Sequence, residues 1–516
     1  MTASDASART TAREAGADET RLRRNIRTTL MPGFVGTVLP DWLERRLRDG
    51  LGAVCLFGQN IVSPGQLQAL NAAIHAANPL AVIAIDEEGG DVTRLYVQSG
   101  SPYPGNAILG RIDDLDYTEQ VGRLVGWELR QAGVTLNFAP DADVNSNPDN
   151  PVIGVRSFGT DPVRVGLHSA AWVRGLQSTG VAACPKHFPG HGDTALDSHV
   201  ARPVVDLPLE TLRERELVPF RAAIAAGAKT VMTSHILLPR IDAELPATLS
   251  PAILGGLLRT DLGFDGVIVS DALDMAGASG TLGIPGAAAA ALAAGCDLLC
   301  IGTENTADQL DQIEAAVLAA VADGLPPERL ADAAGRVRRL AAGTRAATRA
   351  TPIPPAARLE AEPSFDIGRI LASFSLNDRA KRWLAAAPAT FSVVRLDTAS
   401  NIAVGGAPWG PFAAVNAQPE SDLALAWQAR HLVARAVGDS SELVLPAAPV
   451  VVIGRDNHRH PFVRELVDAL RAERRDVIVV DMGWPSDDLT YADIATFGAS
   501  RLAGRALLEL LARTAA

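Results

Sequence analysis

The sequence predicts an α/β protein, a (β/α)8 barrel of the TIM type followed by a smaller C-terminal α/β sandwich domain. From residue 30 to about 345, short apolar runs alternate with Gly-, Pro-, Asn- and Asp-containing loops and with amphipathic or Ala-rich stretches. The apolar runs are continuous rather than two-fold alternating, as expected of parallel strands covered on both faces. About 315 residues in seven or eight such units suit a closed barrel better than an open sheet. No Gly-rich phosphate fingerprint follows the first strand, which argues against a dinucleotide-binding sheet.

The strands are expected at 53 to 58 (AVCLFG), 81 to 86 (AVIAID), 134 to 140 (VTLNFAP), 181 to 187 (VAACPKH), 230 to 236 (TVMTSHI), 266 to 271 (GVIVSD) and 297 to 302 (DLLCIG), with an eighth at 33 to 38. Helices are expected at 116 to 131, 162 to 179, 209 to 226, 251 to 261, 285 to 294 and 307 to 323. Residues 1–25 read as a flexible tail, 26–345 as the barrel and 346–364, rich in Pro, Ala, Thr and Arg, as a linker. Over 365–516 the alternation resumes, with strands near 389 to 396, 449 to 454 and 476 to 481 and helices near 421 to 437, 461 to 474 and 498 to 513.

The 516 residues carry 47 Lys and Arg against 59 Asp and Glu, a net charge of −12. That balance offers no basic footprint for nucleic acid or an anionic membrane, so a small, neutral partner is expected. With 47% hydrophobic and 21% charged residues, the chain has material for a large core and is no disordered polymer. The first 24 residues are polar and lack the apolar region of a secretory signal. No apolar stretch reaches the roughly 18 residues of a membrane span. Cys55, Cys184, Cys296 and Cys300 lie in or beside apolar runs without zinc spacing, and read as reduced core residues. A cytoplasmic monomer or homodimer without a metal or cofactor is the expectation.

Polar residues gather where strands end, the place a barrel keeps for chemistry. The second strand ends in Asp86, Glu87 and Glu88, with Arg94 nearby. The third supplies Asn137, Asp141 and Asp143, then a loop to Arg156. The fourth ends in Lys186-His187, followed by His191, Asp193, Asp197 and His199. The fifth ends at Ser234-His235 and the sixth at Ser270-Asp271. Singly, each has a bland reading as a turn or helix cap. Caps do not require Lys, Arg, His and Asp to converge on one end of one sheet. There is no Gly-x-Ser-x-Gly elbow, Walker loop or His-Glu-x-x-His. The histidines of the 187 to 199 loop lack the helical spacing of common metal sites. What remains is a carboxylate nucleophile or stabiliser, an acid/base, and many directed donors and acceptors. That set suits a sugar, whose hydroxyls each need a partner.

These strings resemble glycoside hydrolase family 3, in its β-N-acetylglucosaminidase (NagZ-type) branch and two-domain form. The matching stretches are IDEEGGDVTRL (85 to 95), NFAPDADVNSNPDNPVIGVRSFG (137 to 159), PKHFPGHGDTALDSH (185 to 199) and VIVSDALDM (267 to 275). The resemblance implies a retaining exo-β-N-acetylglucosaminidase acting on cell-wall fragments or chitooligosaccharides. Asp271 would be the nucleophile, His199 the acid/base paired with Asp197, and Asp86, Arg94, Arg156, Lys186 and His187 the binders of the terminal sugar. Phosphorolysis and a β-glucosidase stand as alternatives, and a silent sugar-binding protein as a third. Glu87 stands where the family often has Gln. In the C-terminal domain, GGAPWG (405 to 410) and NHRHPF (457 to 462) are candidates to reach over the barrel mouth, with His458 and His460 read as solvated or structural.

Overall fold

Eight short parallel strands with helices between them form the first domain of the computed structural model, which describes residues 3–195, 203–280, 282–357, 363–398, 403–437, 448–474 and 476–512. The strands are β1 (Leu30–Met31), β2 (Ala53–Leu56), β3 (Val82–Ile85), β4 (Leu136–Asn137), β5 (Ala182–Ala183), β6 (Thr230–Met232), β7 (Val267–Ser270) and β8 (Leu298–Cys300). Ladders run β2-β3-β4-β5 and β1-β8-β7-β6. The seams are closed by Cys55 N donating to Pro32 O at 3.0 Å and by Phe188 N donating to Met232 O at 2.8 Å. Closure removes both sheet edges.

The continuous apolar runs have a direct explanation. Along β2, Ala53 and Cys55 point into the barrel with Val82, Ala84, Met232 and Val269, while Val54 and Leu56 face the helices. Both faces are dry, so neither alternate position is polar. Cys55, Cys184, Cys296 and Cys300 are all buried thiols. The helices start where their caps predict. Asp161 accepts from Val163 N and Arg164 N ahead of Pro162–Gln177, and Asp114 accepts from Tyr117 N ahead of Leu115–Gln131.

Several expected boundaries move. The eighth strand is Leu30–Met31, before the expected 33 to 38; Gly33 instead packs on Gly302 O, where a Cβ would sit at 2.5 Å, and Val35 and Val38 are exposed. In place of a flexible tail over 1–25, Ala3–Thr28 is a helix whose Arg23 and Arg27 bind the buried Glu314 at 2.7 and 2.8 Å. A partner 291 residues away in sequence is invisible to local pattern. The helix Pro327–Ala350 carries the start of the expected linker, and the stretch 209 to 226 breaks into Leu209–Glu214 and Leu217–Ala225.

The second domain is a mostly parallel sheet of β9 (Ser375–Leu376), β10 (Phe391–Leu396), β11 (His431–Val437), β12 (Val450–Gly454), β13 (Val477–Asp481) and β14 (Ile494–Ala495). Its order is β11-β10-β12-β13-β14-β9, with β9 antiparallel. The helix expected over 421 to 437 stops at Arg430, and the rest is β11, taken up by the open edge of β10. The domain docks on the barrel through Ala499 N to Asp91 Oδ1 (2.7 Å), Arg459 Nη2 to Pro148 O (2.8 Å) and Arg94 Nη2 to Ala403 O (3.0 Å). No described helix is long and apolar enough to cross a membrane.

Candidate active site

Where β3 ends, Asn137 of β4 fixes the chain by accepting from Glu87 N (2.9 Å) and donating to Glu87 O (2.8 Å). The Glu87 side chain turns inward. Its Oε2 accepts from Thr93 Oγ1 (3.0 Å), Arg94 N (2.8 Å) and Leu95 N (2.8 Å), and so shapes the turn that presents Arg94. Burial pushes the Glu87 carboxyl up to about 7 against the pull of these donors.

Its neighbour Glu88 has the opposite surroundings. Arg156 grips it with Nε at 2.9 Å and Nη2 at 2.7 Å, and Lys186 Nζ lies 2.7 Å away. Burial alone would raise this carboxyl; Arg156 and Lys186 overcome burial and hold it well below the usual range. Lys186 also reaches Asp86 Oδ1 at 2.6 Å, and Arg94 Nη2 lies 3.9 Å from Asp86 Oδ2. Asp86 is thus presented to the cavity by two cations while its own side chain stays 19% exposed, open to a ligand.

Deeper in, Asp143 organises the histidines. Its Oδ2 lies 2.7 Å from His187 Nδ1, and its Oδ1 accepts from His191 N (2.7 Å) and His187 N (3.2 Å). With Nδ1 protonated toward Asp143, His187 Nε2 accepts from Arg156 Nη2, 3.3 Å away. Burial and the adjacent Asp143 raise the Asp141 carboxyl, and burial lowers His191 to about 4. Asp141, Asp143 and His187 bring ligand atoms within 4.8 Å of one another, close enough for a metal ion. The His187 Nδ1 proton and Arg156, 3.5 Å from Asp141 Oδ2, compete for those same atoms, so the donor set fits a hydrogen-bonded network rather than a cation.

Asp271 follows β7 directly. Its backbone N–H donates to Thr233 Oγ1 (3.3 Å) and its Oδ1 accepts from Ala272 N (2.8 Å). The fully buried His235 backs this turn, with Nε2 2.9 Å from Ala272 O and Nδ1 2.9 Å from Thr248 Oγ1. Asp86, Arg94, Arg156, Lys186, His187 and Asp271 all line one cavity of about 340 Å³ at the barrel mouth. Met232 and Phe138 also line it, and Ala403 reaches it from the second domain.

His199 and Asp197 lie outside the described residues. The stretch leading to them is anchored. Asn150 Nδ2 donates to His191 O (2.8 Å) and Gly192 O (3.0 Å), and Arg215 Nη2 to Asp193 Oδ2 (2.6 Å). Gly192 packs on Val144 O so closely that a Cβ would sit 1.6 Å from it. Sequence reasoning gave no role to Glu88, Asp143, Asn150 or His235. The acidic string at 86 to 88 and the polar ends of the strands signalled three of them, and nothing local signalled Asn150.

A closed barrel with carboxylates, cations and imidazoles converging on a polar cavity at its carboxyl end has the architecture of a barrel enzyme with its active site at the strand ends. The family model for the glycosyl hydrolase family 3 N-terminal domain matches residues 29–340, and the chain belongs to glycoside hydrolase family 3. A beta-hexosaminidase of Stenotrophomonas maltophilia is 39% identical over 291 residues, covering 54% of this chain and 85% of its own length. Beta-hexosaminidase A of Pseudoalteromonas piscicida is 36% identical over 332 residues, 59% of this chain; the chain spans only 55% of that relative's length. The solved structure of a glycoside hydrolase family 3 beta-N-acetylglucosaminidase from Paenibacillus superimposes with a TM-score of 0.79 at 30% identity, covering 96% of this chain and 97% of that one. Both domains are therefore shared with that structure.

Proposed function

We propose that the protein is a retaining exo-β-N-acetylglucosaminidase, acting in the cytoplasm on cell-wall fragments or chitooligosaccharides. The observation that carries this reading is the single cavity in which Asp271 faces the array of Asp86, Arg94, Arg156, Lys186 and His187. The hexosaminidase and N-acetylglucosaminidase names of the relatives support the choice of sugar.

In this mechanism Asp86, with its two cations, receives hydroxyls of the terminal sugar in bidentate fashion, and Arg94, Arg156 and His187 complete its binding. Asp271 attacks the anomeric carbon. The bond to the leaving oxygen breaks as His199 gives that oxygen a proton, leaving a glycosyl ester on Asp271. His199, held in one tautomer by Asp197, then takes a proton from water, which attacks the same carbon and frees Asp271 with net retention. An imidazole suits both transfers because its ordinary pKa lies near neutrality.

Hydrolysis of an aryl β-N-acetylglucosaminide against the matching β-glucoside tests the sugar. The expected result is strong preference for the former, abolished in Asp271→Ala. Equal cleavage of both, or full turnover by Asp271→Ala, overturns the reading.

A further inference from the structure

Two side chains outside the cavity grip the segment that forms one of its walls. The stretch 209 to 226 has helical composition, yet the helix stops at Glu214 and restarts at Leu217. Pro219 explains the break: it has no N–H for the Arg215 carbonyl, and its ring would clash with that carbonyl in a continuous helix. In the gap, Arg215 and Glu216 meet the segment that follows β5. Arg215 Nη2 donates to Asp193 Oδ2 at 2.6 Å, and its Nε to Glu216 Oε1 at 2.5 Å. Glu216 packs against Gly190, where a Cβ would meet Glu216 Cβ at 2.7 Å and Oε2 at 2.8 Å; with φ at +128° the position suits only glycine.

Glu216 is 1% exposed, and its Oε2 is buried with no hydrogen-bond partner among the described residues. Burial pushes its carboxyl up to about 7, against the pull of Arg215. A buried acid with an unsatisfied oxygen lowers stability, and acids kept in such a state collect beside functional sites.

Between Gly190 and Asp193 lie His191 and Gly192, and these are held from the opposite side. His191 N donates to Asp143 Oδ1, and Asn150 Nδ2 to the carbonyls of His191 and Gly192. The same Asp143 orients His187, and His187 and His191 both line the barrel cavity. Neither Arg215 nor Glu216 lines it. The 190–193 segment thus lies between an outer clamp and the inner network that presents the imidazoles.

We propose that Glu216 and Arg215 are positioning residues for the glycosidase reaction, fixing the 190–193 segment and, through it, the His191 and His187 wall of the sugar site. The inference rests on the barrel cavity being the sugar site and deepens that reading.

Glu216→Gln keeps the shape of the side chain and removes the charge that holds Arg215; Arg215→Gln removes the link to Asp193. With an aryl β-N-acetylglucosaminide, each should raise KM about fivefold or more with a smaller change in kcat, because the wall acts on sugar binding. Arg215→Lys, which keeps the charge, should recover part of the loss. Arg213→Gln, which removes an exposed pair with Asp261 on the same helix, should leave KM unchanged. A second readout needs no substrate. Hydrogen exchange in a peptide spanning 186–195 should quicken in Glu216→Gln and Arg215→Gln, while peptides from β7 exchange as in the wild type. If Glu216→Gln fails to fold, Arg215→Lys carries both measurements. KM within about twofold of the wild type in the clamp variants overturns the proposal. Exchange quickened equally throughout the barrel also overturns it, since that marks a merely structural role. If the wild type does not cleave the aryl sugar, the sugar-site reading fails by itself and exchange decides: quickening confined to 186–195 supports the clamp, and none overturns it.

Discussion

Glu88 at the barrel mouth and Asp481 at the carboxyl end of the second sheet are buried acids held in opposite ways. At the barrel mouth, Glu88 is held by side chains from other strands, Arg156 and Lys186, which keep it ionised well below the usual range. At the end of β13, Asp481 is held by backbone alone: Asp456 N and Gly483 N at 2.8 Å and Asn457 N at 2.9 Å. Burial, with Asp456 nearby, pushes that carboxyl up to about 7. A strand-end acid tied to amides of its own loops shapes the loops. One held by cations that also face open space belongs to a binding site, because those cations keep donors to offer.

The comparison can be sharpened by substitution. Asp271→Ala should lower kcat by about 10⁴-fold or more, while thermal unfolding stays near that of the wild type. Glu88→Gln should cost about 3–5 kcal/mol in urea unfolding, since two buried cations lose the counter-charge they share and keep only Asp86 and Asp141, and should raise KM as Arg156 and Lys186 shift. Asp481→Asn removes one of two accepting oxygens and should cost about 1–3 kcal/mol, with activity within about twofold of the wild type. A large loss of activity in Asp481→Asn with intact stability would erase the distinction between the two sheet ends.

A further effect is in pH dependence, and it sets neighbours against each other. Glu87 keeps its proton to about 7 when folded but loses it near the ordinary value when unfolded. Its contribution is full at acid pH and is lost as pH rises toward 7, with a slope of about 1.4 kcal/mol per pH unit. Glu88, with its folded value lowered, contributes above the ordinary carboxylate value and loses that contribution as pH falls. Unfolding of Glu87→Gln between pH 4 and 8 should therefore show a shallower decline with rising pH than the wild type, since Asp481 keeps its own contribution. An unchanged slope would show that Glu87 is not the group responsible.

Much of this architecture is legible in the sequence because barrel strands are dry on both faces and their polar residues can only collect at the ends. Asp86, Arg94, Arg156, Lys186, His187 and Asp271 could be found that way, and the structure brings them to one cavity. Partnerships across strands were not legible. Nothing near Glu88 announces Arg156, 68 positions on, or links Asn150 to the carbonyls of His191 and Gly192. The β11 strand was hidden for a related reason: the stretch 421 to 437 has helical composition throughout, and only the free edge of β10 makes its second half a strand.

The central claim is that Asp271 forms a bond to the sugar. Incubation with a 5-fluoro N-acetylglucosaminyl fluoride, which slows release of a glycosyl ester, followed by proteolysis and peptide mass spectrometry, tests it most directly. The account predicts one fluorosugar adduct, on the peptide containing Asp271 and absent from Asp271→Ala. Turnover of the reagent without an adduct, or an adduct on another carboxylate, would contradict it.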